Sequence, residues 1–274
     1  MLLLASIALS VIIWGFLFGL KFAIVLITAI FIHEYGHFYW MGKEGIKDKD
    51  MIFLPPLGAV ARSKEYWPSY GAELRIALAG PVFGLLSVAL FWILYLLYSK
   101  DIFLASIALA CIINLFNLAI PIAILDGGRV IKSILYSIHR LLGDAFYMLG
   151  FGLMAFAFVL GYINILFVLL IGFFLYSEYN SVVHNRLSLE TLIQQKNNLD
   201  ALNGDLPPVS EIVDSLNEII SKFDAIVNLK KMNTKEMLSG FLFFLGLIGI
   251  YVLVLYYLSL SIDVSMAGIL SYFK

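Results

Sequence analysis

The stretch "AIFIHEYGHFYW" (Ala29–Trp40) places three ionisable side chains inside an otherwise apolar and aromatic run. His33, Glu34 and His37 lie within five residues of one another. Hydrocarbon disfavours ionisable groups, so a chain that keeps three of them in a membrane segment is expected to use them. The rest of the sequence decides whether this run lies in a membrane.

The composition is that of a multi-pass membrane protein. Hydrophobic residues make up 62% of the 274 and charged residues only 14%, whereas a soluble domain is about half apolar and about a quarter charged. The net charge of −1 and the absence of a nucleic-acid motif give no reason to expect a nucleic-acid partner. The single cysteine, Cys111, cannot form an internal disulfide.

Seven segments are long and apolar enough to span a bilayer, which takes about 20 residues of helix. We predict an all-α polytopic membrane protein with about seven transmembrane helices, over Leu2–Leu20, Phe22–Gly42, Ala72–Tyr98, Ile102–Leu125, Asp144–Leu160, Tyr162–Val182 and Met237–Leu260. The predicted domains are a transmembrane domain over residues 1–182, a cytoplasmic helical hairpin over 183–236, and a C-terminal transmembrane helix with its tail over 237–274.

Two regions do not fit a simple span. Met51–Pro68 is apolar but is interrupted by Pro55-Pro56 and Gly58, which predicts a short membrane-associated β-hairpin or re-entrant loop rather than a helix. Leu187–Lys231 carries a helical apolar stripe in its second half. That stripe needs a partner, either the first half of the same segment or the membrane surface.

The distribution of lysine and arginine predicts the orientation. The loops and loop-adjacent residues on one side of the predicted spans carry 15 of these residues, and the other side carries 3. Because cytoplasmic loops are enriched in positive charge, we expect the N-terminus inside the cell and the C-terminus outside.

His33, Glu34 and His37 fit the pattern H-E-x-x-H. Residues four apart share one face of a helix, so both imidazoles can bind a single ion. Zinc suits two imidazoles and a carboxylate, with a fourth position open to water. Glu34 is rotated by about 100° from His33, which suits action on a bound water rather than ligation.

A third ligand must come from another helix. Asp126, in "LDGGR", is favoured because it ends the fourth predicted span, after the helix-breaking Pro121 and before two glycines. Glu178, near the cytoplasmic end of the sixth predicted span, is the alternative. The corresponding functions are a zinc protease with either ligand, a metal-ion transporter, or a non-catalytic scaffold. A scaffold has no need of Glu34 beside both histidines, and a transporter needs polar residues spread through several helices.

"HEYGH", followed by "AGP" (79–81) and "LDGGR" (125–129), resembles the site-2 protease family of intramembrane zinc metalloproteases. The resemblance covers about residues 22–140 and implies that His33, His37 and Asp126 bind one zinc ion per chain. It also implies that Glu34 is the catalytic acid/base, that the site faces the cytoplasm, and that single-pass transmembrane proteins are the substrates.

The family's substrate-positioning asparagine corresponds to Asn117 or Asn114. The spacing from Asn117 to Pro121 is one residue longer than the family's usual N-x-x-P. The apolar hairpin Ile52–Arg62 is expected either to offer an edge to which an extended substrate adds as a strand or to plug the cleft.

Overall fold

The computed structural model is mostly helical and describes residues 2–55, 58–201 and 207–274. Its elements in chain order are α1 (Leu2–Phe18), α2 (Leu20–Lys43), β1 (Lys49–Leu54), β2 (Gly58–Ser63), α3 (Tyr70–Tyr98), α4 (Asp101–Ala119), α5 (Asp126–Ile138), α6 (Arg140–Val159), α7 (Ile165–Ala201), α8 (Pro207–Val227), α9 (Thr234–Ser259) and α10 (Met266–Ser271). Part of the predicted break at Pro55-Pro56 and Gly58, and residues 202–206 within the predicted cytoplasmic hairpin, lie outside the described residues.

Several helices fit a membrane protein. In the described part of the chain, five are long and apolar enough to cross a bilayer, namely α2, α3, α4, α6 and α9. α1 is apolar but shorter, at 17 residues. Most of the sixth predicted span lies in α7, which begins at Ile165, three residues later than predicted, and continues without a break to Ala201. The multi-pass, mostly helical class is thus confirmed, while the number seven and the orientation stay predictions.

The fourth predicted span extends too far at its C-terminal end. α4 ends at Ala119, and Ile120 is extended, with φ −87° and ψ 117°. The following Pro121 explains this, because proline disfavours a helical conformation in the residue before it and has no N–H to donate. Asp126 is therefore the first residue of α5 and not the last of α4.

The predicted β-hairpin is confirmed. β1 and β2 are antiparallel, with Met51 opposite Ala61. Just beyond the strands, Lys64 N–H donates to the Asp48 carbonyl over 3.1 Å. Because hydrogen-bonded and non-hydrogen-bonded pairs alternate, the even-numbered residues of β2 bond to β1, and the N–H groups of its odd-numbered residues point to the outer edge.

The hairpin packs against both α1 and α2. On the β1 side, Phe53 N–H donates to Ser6 Oγ of α1 over 3.2 Å. Phe53 also packs in a buried apolar cluster with Ile27 of α2. Lys49 Nζ donates to the Phe38 carbonyl near the end of α2, over 2.6 Å. The outer edge of β1 is therefore covered by α1, and the outer edge of β2 faces α2.

The chain forms two compact units. The first comprises Met1–Glu65, Gly71–Ile134 and Met232–Lys274, and the second comprises Tyr66–Tyr70 and Leu135–Lys231. In the second unit α8 packs against α7. Asp144 of α6 accepts hydrogen bonds there from Arg186 Nη1, at 2.8 and 2.9 Å, and from the Tyr136 hydroxyl at 2.8 Å.

Candidate metal centre

His33, His37 and Asp126 converge within the first unit. His33 Nε2 lies 3.0 Å from Asp126 Oδ2, and His37 Nε2 lies 3.2 Å from Asp126 Oδ1. The two Nε2 atoms are 3.2 Å apart. All three side chains are buried. Among the described residues they form a group of potential metal ligands whose donor atoms all lie within 4.8 Å of one another.

The two glycines after Asp126 bring the carboxylate to this position. A Cβ at Gly127 would overlap the carbonyl of Leu118, and a Cβ at Gly128 would overlap the carbonyl of Ile122. Only a residue without a side chain allows so close an approach of backbone to backbone. The first turn of α5 can therefore pack directly against the end of α4 and the loop that follows it.

Hydrogen bonds to the Nδ1 atoms orient both imidazoles. His33 Nδ1–H donates to Asn114 Oδ1 over 2.8 Å, and Asn114 Nδ2 donates to the Ala110 carbonyl over 2.8 Å, which sets the direction of the amide. His37 Nδ1–H donates to the Ile76 carbonyl over 2.7 Å. Because each ring then carries its proton on Nδ1, both Nε2 atoms present lone pairs to the centre.

Two glycines of α3 leave the space for this arrangement. A Cβ at Gly80 would overlap Nε2 of His37 and lie 2.8 Å from Nε2 of His33. One turn along α3, a Cβ at Gly84 would overlap the side-chain amide of Asn114. The glycine of the "AGP" motif thus keeps a side chain out of the space between the histidines, and Gly84 leaves room for the residue that orients His33.

The arrangement fits a tetrahedral zinc ion. Bonds of about 2.0–2.1 Å at tetrahedral angles would place neighbouring ligand atoms about 3.3 Å apart. The two Nε2 atoms are 3.2 Å apart, and they lie 3.0 and 3.2 Å from the two different oxygens of the Asp126 carboxylate. Asp126 Oδ2 is buried without a hydrogen-bond donor. When both rings are neutral, their Nε2 lone pairs and the Asp126 carboxylate face one another, and a divalent cation would satisfy all three side chains.

Glu34 lies beside this group on α2 but makes a different contact. It follows His33 directly in the chain, and its Oε2 accepts a hydrogen bond from Ala61 N–H of β2 over 2.7 Å. Ala61 is one of the odd-numbered β2 residues, whose N–H groups point away from β1, so this contact agrees with the hydrogen-bonding pattern of the hairpin. The glutamate is thus placed between the metal-binding group and the outer edge of β2.

The other candidate residues lie elsewhere. Asn117 is half-buried on α4, one turn from Asn114, and a substrate contact stays a prediction for both asparagines. Glu178, the alternative third ligand, accepts a hydrogen bond from the Tyr147 hydroxyl over 2.9 Å within the second unit. The aspartate, and not Glu178, completes the group formed with the two histidines.

Fold and site together define a polytopic membrane protein with a buried group of two histidines and one aspartate suited to a divalent metal. Residues 21–107 match the family model described as peptidase family M50. A segment of 130 residues is 34% identical to a protein named zinc metalloprotease from Methanocaldococcus jannaschii, covering 44% of this chain and 35% of that relative. The chain thus spans about a third of the relative's length.

These findings confirm the resemblance to the site-2 protease family, peptidase family M50. No solved structure shows a significant match to the chain. The family match includes both histidines and Gly80 but ends before Asp126. The placement of the aspartate as the third donor therefore rests on the geometry of the site.

Proposed function

We propose that this chain is an intramembrane zinc metalloprotease that hydrolyses peptide bonds of transmembrane proteins within or beside the bilayer, as in regulated intramembrane proteolysis. The observation that carries the proposal is the convergence of two histidines and one aspartate, all potential metal ligands, beside a glutamate that is not one of them. The name of the archaeal relative supports a zinc-dependent proteolytic activity.

His33, His37 and Asp126 would hold one zinc ion per chain. Bound zinc lowers the pKa of a coordinated water to about 7 and polarises the scissile carbonyl. Glu34 takes the proton from the attacking water and later delivers it to the leaving amine nitrogen. The Nδ1 hydrogen bonds of the two histidines hold both rings in the orientation that this requires.

The outer edge of β2 is the proposed substrate-binding edge. A helical substrate hides its peptide bonds and must be extended before cleavage, and strand addition is a general way to hold an extended peptide. The outer edge of β1 already contacts α1 through Ser6. On β2, the Ala61 N–H of the outer edge donates to Glu34, so a substrate strand added there would take over this donor and release the Glu34 carboxylate.

Proline substitutions test this edge. Ala61→Pro removes the N–H that Glu34 accepts, and Val60→Pro removes an N–H that faces β1. Both variants should lower the cleavage rate without changing zinc content, whereas Val60→Ala keeps the backbone donor and should cleave normally. Unchanged cleavage in both proline variants rejects strand addition, and faster cleavage indicates that the hairpin plugs the cleft instead.

The partners and the orientation follow from the membrane setting. We propose that single-pass transmembrane proteins are the substrates and that the site opens toward the cytoplasm, the side that carries 15 of the 18 lysines and arginines. The N-terminus is then cytoplasmic and the C-terminus lies outside. A metal-ion transporter would need ligands along a path through the helices. The potential ligands His33, His37 and Asp126 instead lie together at one place, which favours a protease.

The test is a comparison of wild type with Glu34→Gln. Both proteins are purified in detergent, analysed for zinc, and assayed for cleavage of model transmembrane substrates. We expect one zinc per chain in both and turnover only in the wild type. Retained turnover in Glu34→Gln rejects the glutamate as acid/base, and a wild type that binds no zinc rejects the proposed function.

A further inference from the structure

α3 carries a buried carboxylate that the proposed hydrolysis does not use. Glu73 is 2% exposed. Its Oε1 lies 2.7 Å from Lys132 Nζ and 3.8 Å from Arg129 Nε, and its Oε2 accepts a hydrogen bond from Ser133 Oγ over 3.0 Å. All three partners belong to α5, the helix that begins with Asp126.

Burial of ion pairs is costly, and well-packed apolar residues would join two helices at least as well. Stability alone therefore does not account for this cluster. The cluster also fixes the orientation of the two helices, because charge-assisted hydrogen bonds depend on geometry in a way that apolar contacts do not. An ion cluster between α3 and α5 defines how α5 is rotated about its own axis.

The rotation of α5 decides where Asp126 points. At about 100° per residue, Arg129 and Ser133 lie within about 60° of Asp126 around the helix, and Lys132 lies within about 120°. With side chains about 6 Å from the helix axis, a rotation of about 20° moves the carboxylate by about 2 Å. That displacement equals a zinc–oxygen bond length, so a small rotation removes the third ligand.

The same part of α3 also orients His37. Ile76, almost one turn after Glu73, provides the carbonyl that accepts from His37 Nδ1–H. Lys132 lies six residues beyond Asp126, or about 9 Å along α5, so the cluster acts through the helix and not as part of the ligand set. α3 therefore contacts both sides of the metal centre. Its backbone carbonyl at Ile76 orients His37, and its Glu73 side chain contacts α5, the helix that carries Asp126.

We propose that Glu73 is a positioning residue for the metal centre. Through Lys132, Arg129 and Ser133 it holds α5 in the rotation that aims Asp126 at the two histidines. The inference rests on the proposed zinc site and adds to it a requirement for a residue outside the ligand set.

Zinc affinity of the full-length protein in detergent tests the proposal, measured by competition with a chromogenic chelator. Glu73→Gln keeps the shape and the Ser133 contact but removes the charge that holds Lys132 and Arg129. We expect zinc binding to weaken by about 10- to 100-fold, the range found for residues that orient ligands. The visible spectrum of the cobalt(II)-loaded protein should also change, because it reports the ligand geometry.

Glu44→Gln is the matched control. Glu44 forms a bidentate pair with Arg75, two residues from Glu73 on α3, with Nε–Oε1 and Nη2–Oε2 distances of 2.7 and 2.8 Å. This pair joins α3 to the end of α2 and not to α5. Glu44→Gln should therefore leave the zinc affinity within twofold of wild type and the cobalt spectrum unchanged.

The proposal is wrong if Glu73→Gln folds, binds zinc with wild-type affinity and gives an unchanged cobalt spectrum. If that variant does not fold, Ser133→Ala decides, because it removes one donor to Glu73 and leaves the charges in place. We expect about 3- to 10-fold weaker zinc binding with a spectral change, and no change overturns the proposal. A negative result for Glu73 would not change the outcome of the Glu34→Gln comparison, so the positioning role and the proposed protease function are tested independently.

Discussion

Gly80→Ala should weaken zinc binding strongly while preserving the fold. The added Cβ would overlap His37 Nε2 and lie 2.8 Å from His33 Nε2. Non-bonded heavy atoms need about 3.5–4.0 Å, so at least one imidazole must move by about 1 Å, roughly half of a zinc–nitrogen bond. We expect zinc affinity to fall by at least about 100-fold, or about 2.7 kcal/mol.

Competition with a chromogenic chelator measures this affinity, and circular dichroism in detergent monitors the fold. Gly246→Ala on α9 is the control, because a Cβ there meets nothing within 4 Å. Since alanine is the better helix former by about 1 kcal/mol, the control should be as stable as wild type or more so. Zinc affinity in Gly80→Ala within a few-fold of the control would refute the close packing described for this site.

Three further outcomes are expected. Asn114→Ala should weaken zinc binding about 10- to 100-fold by freeing the His33 ring, whereas Asn117→Ala should leave zinc binding unchanged, as judged by the same chelator titration. Chelator treatment should stop cleavage of a model transmembrane substrate, and stoichiometric zinc should restore it. Hydrogen bonds from Arg75 hold the pKa of Glu44 below its usual range, so this pair stabilises the folded protein above the unfolded pKa of about 4.3 and loses that effect as the pH falls through the lower folded value. Glu44→Gln should consequently lower the free energy of unfolding by less than about 1 kcal/mol at pH 6, with a slightly lower melting temperature, and this difference should shrink as the pH falls below the unfolded pKa.

Local patterns predicted the parts of the site that lie within one element. His33 and His37 are four residues apart on an apolar helix, and helical geometry alone brings them onto one face. The hairpin is local too, because Pro55-Pro56 and Gly58 stop a helix and leave apolar segments on either side. In these cases the neighbouring residues determine the structure, and the structure confirms the prediction.

Tertiary contacts were harder to predict. Asp126 was identified as a ligand candidate, but its place at the start of α5 depends on how the chain turns after Pro121. The sequence did not indicate that Asn114 contacts His33, because that contact depends on the packing of α2 against α4. Glu73 was overlooked although an ionisable residue in an apolar segment is itself a signal of function.

The three motifs describe one tertiary arrangement although they are far apart in sequence. "HEYGH" supplies two donor atoms on α2, "AGP" leaves the adjacent space on α3 open, and "LDGGR" lets the start of α5 approach the end of α4. A side chain at Gly80 would fill the centre, and one at Gly127 or Gly128 would push Asp126 away from it. We therefore expect the glycines of the last two motifs to matter for metal binding together with the ligands, because the absence of a Cβ at these positions lets the ligands come together.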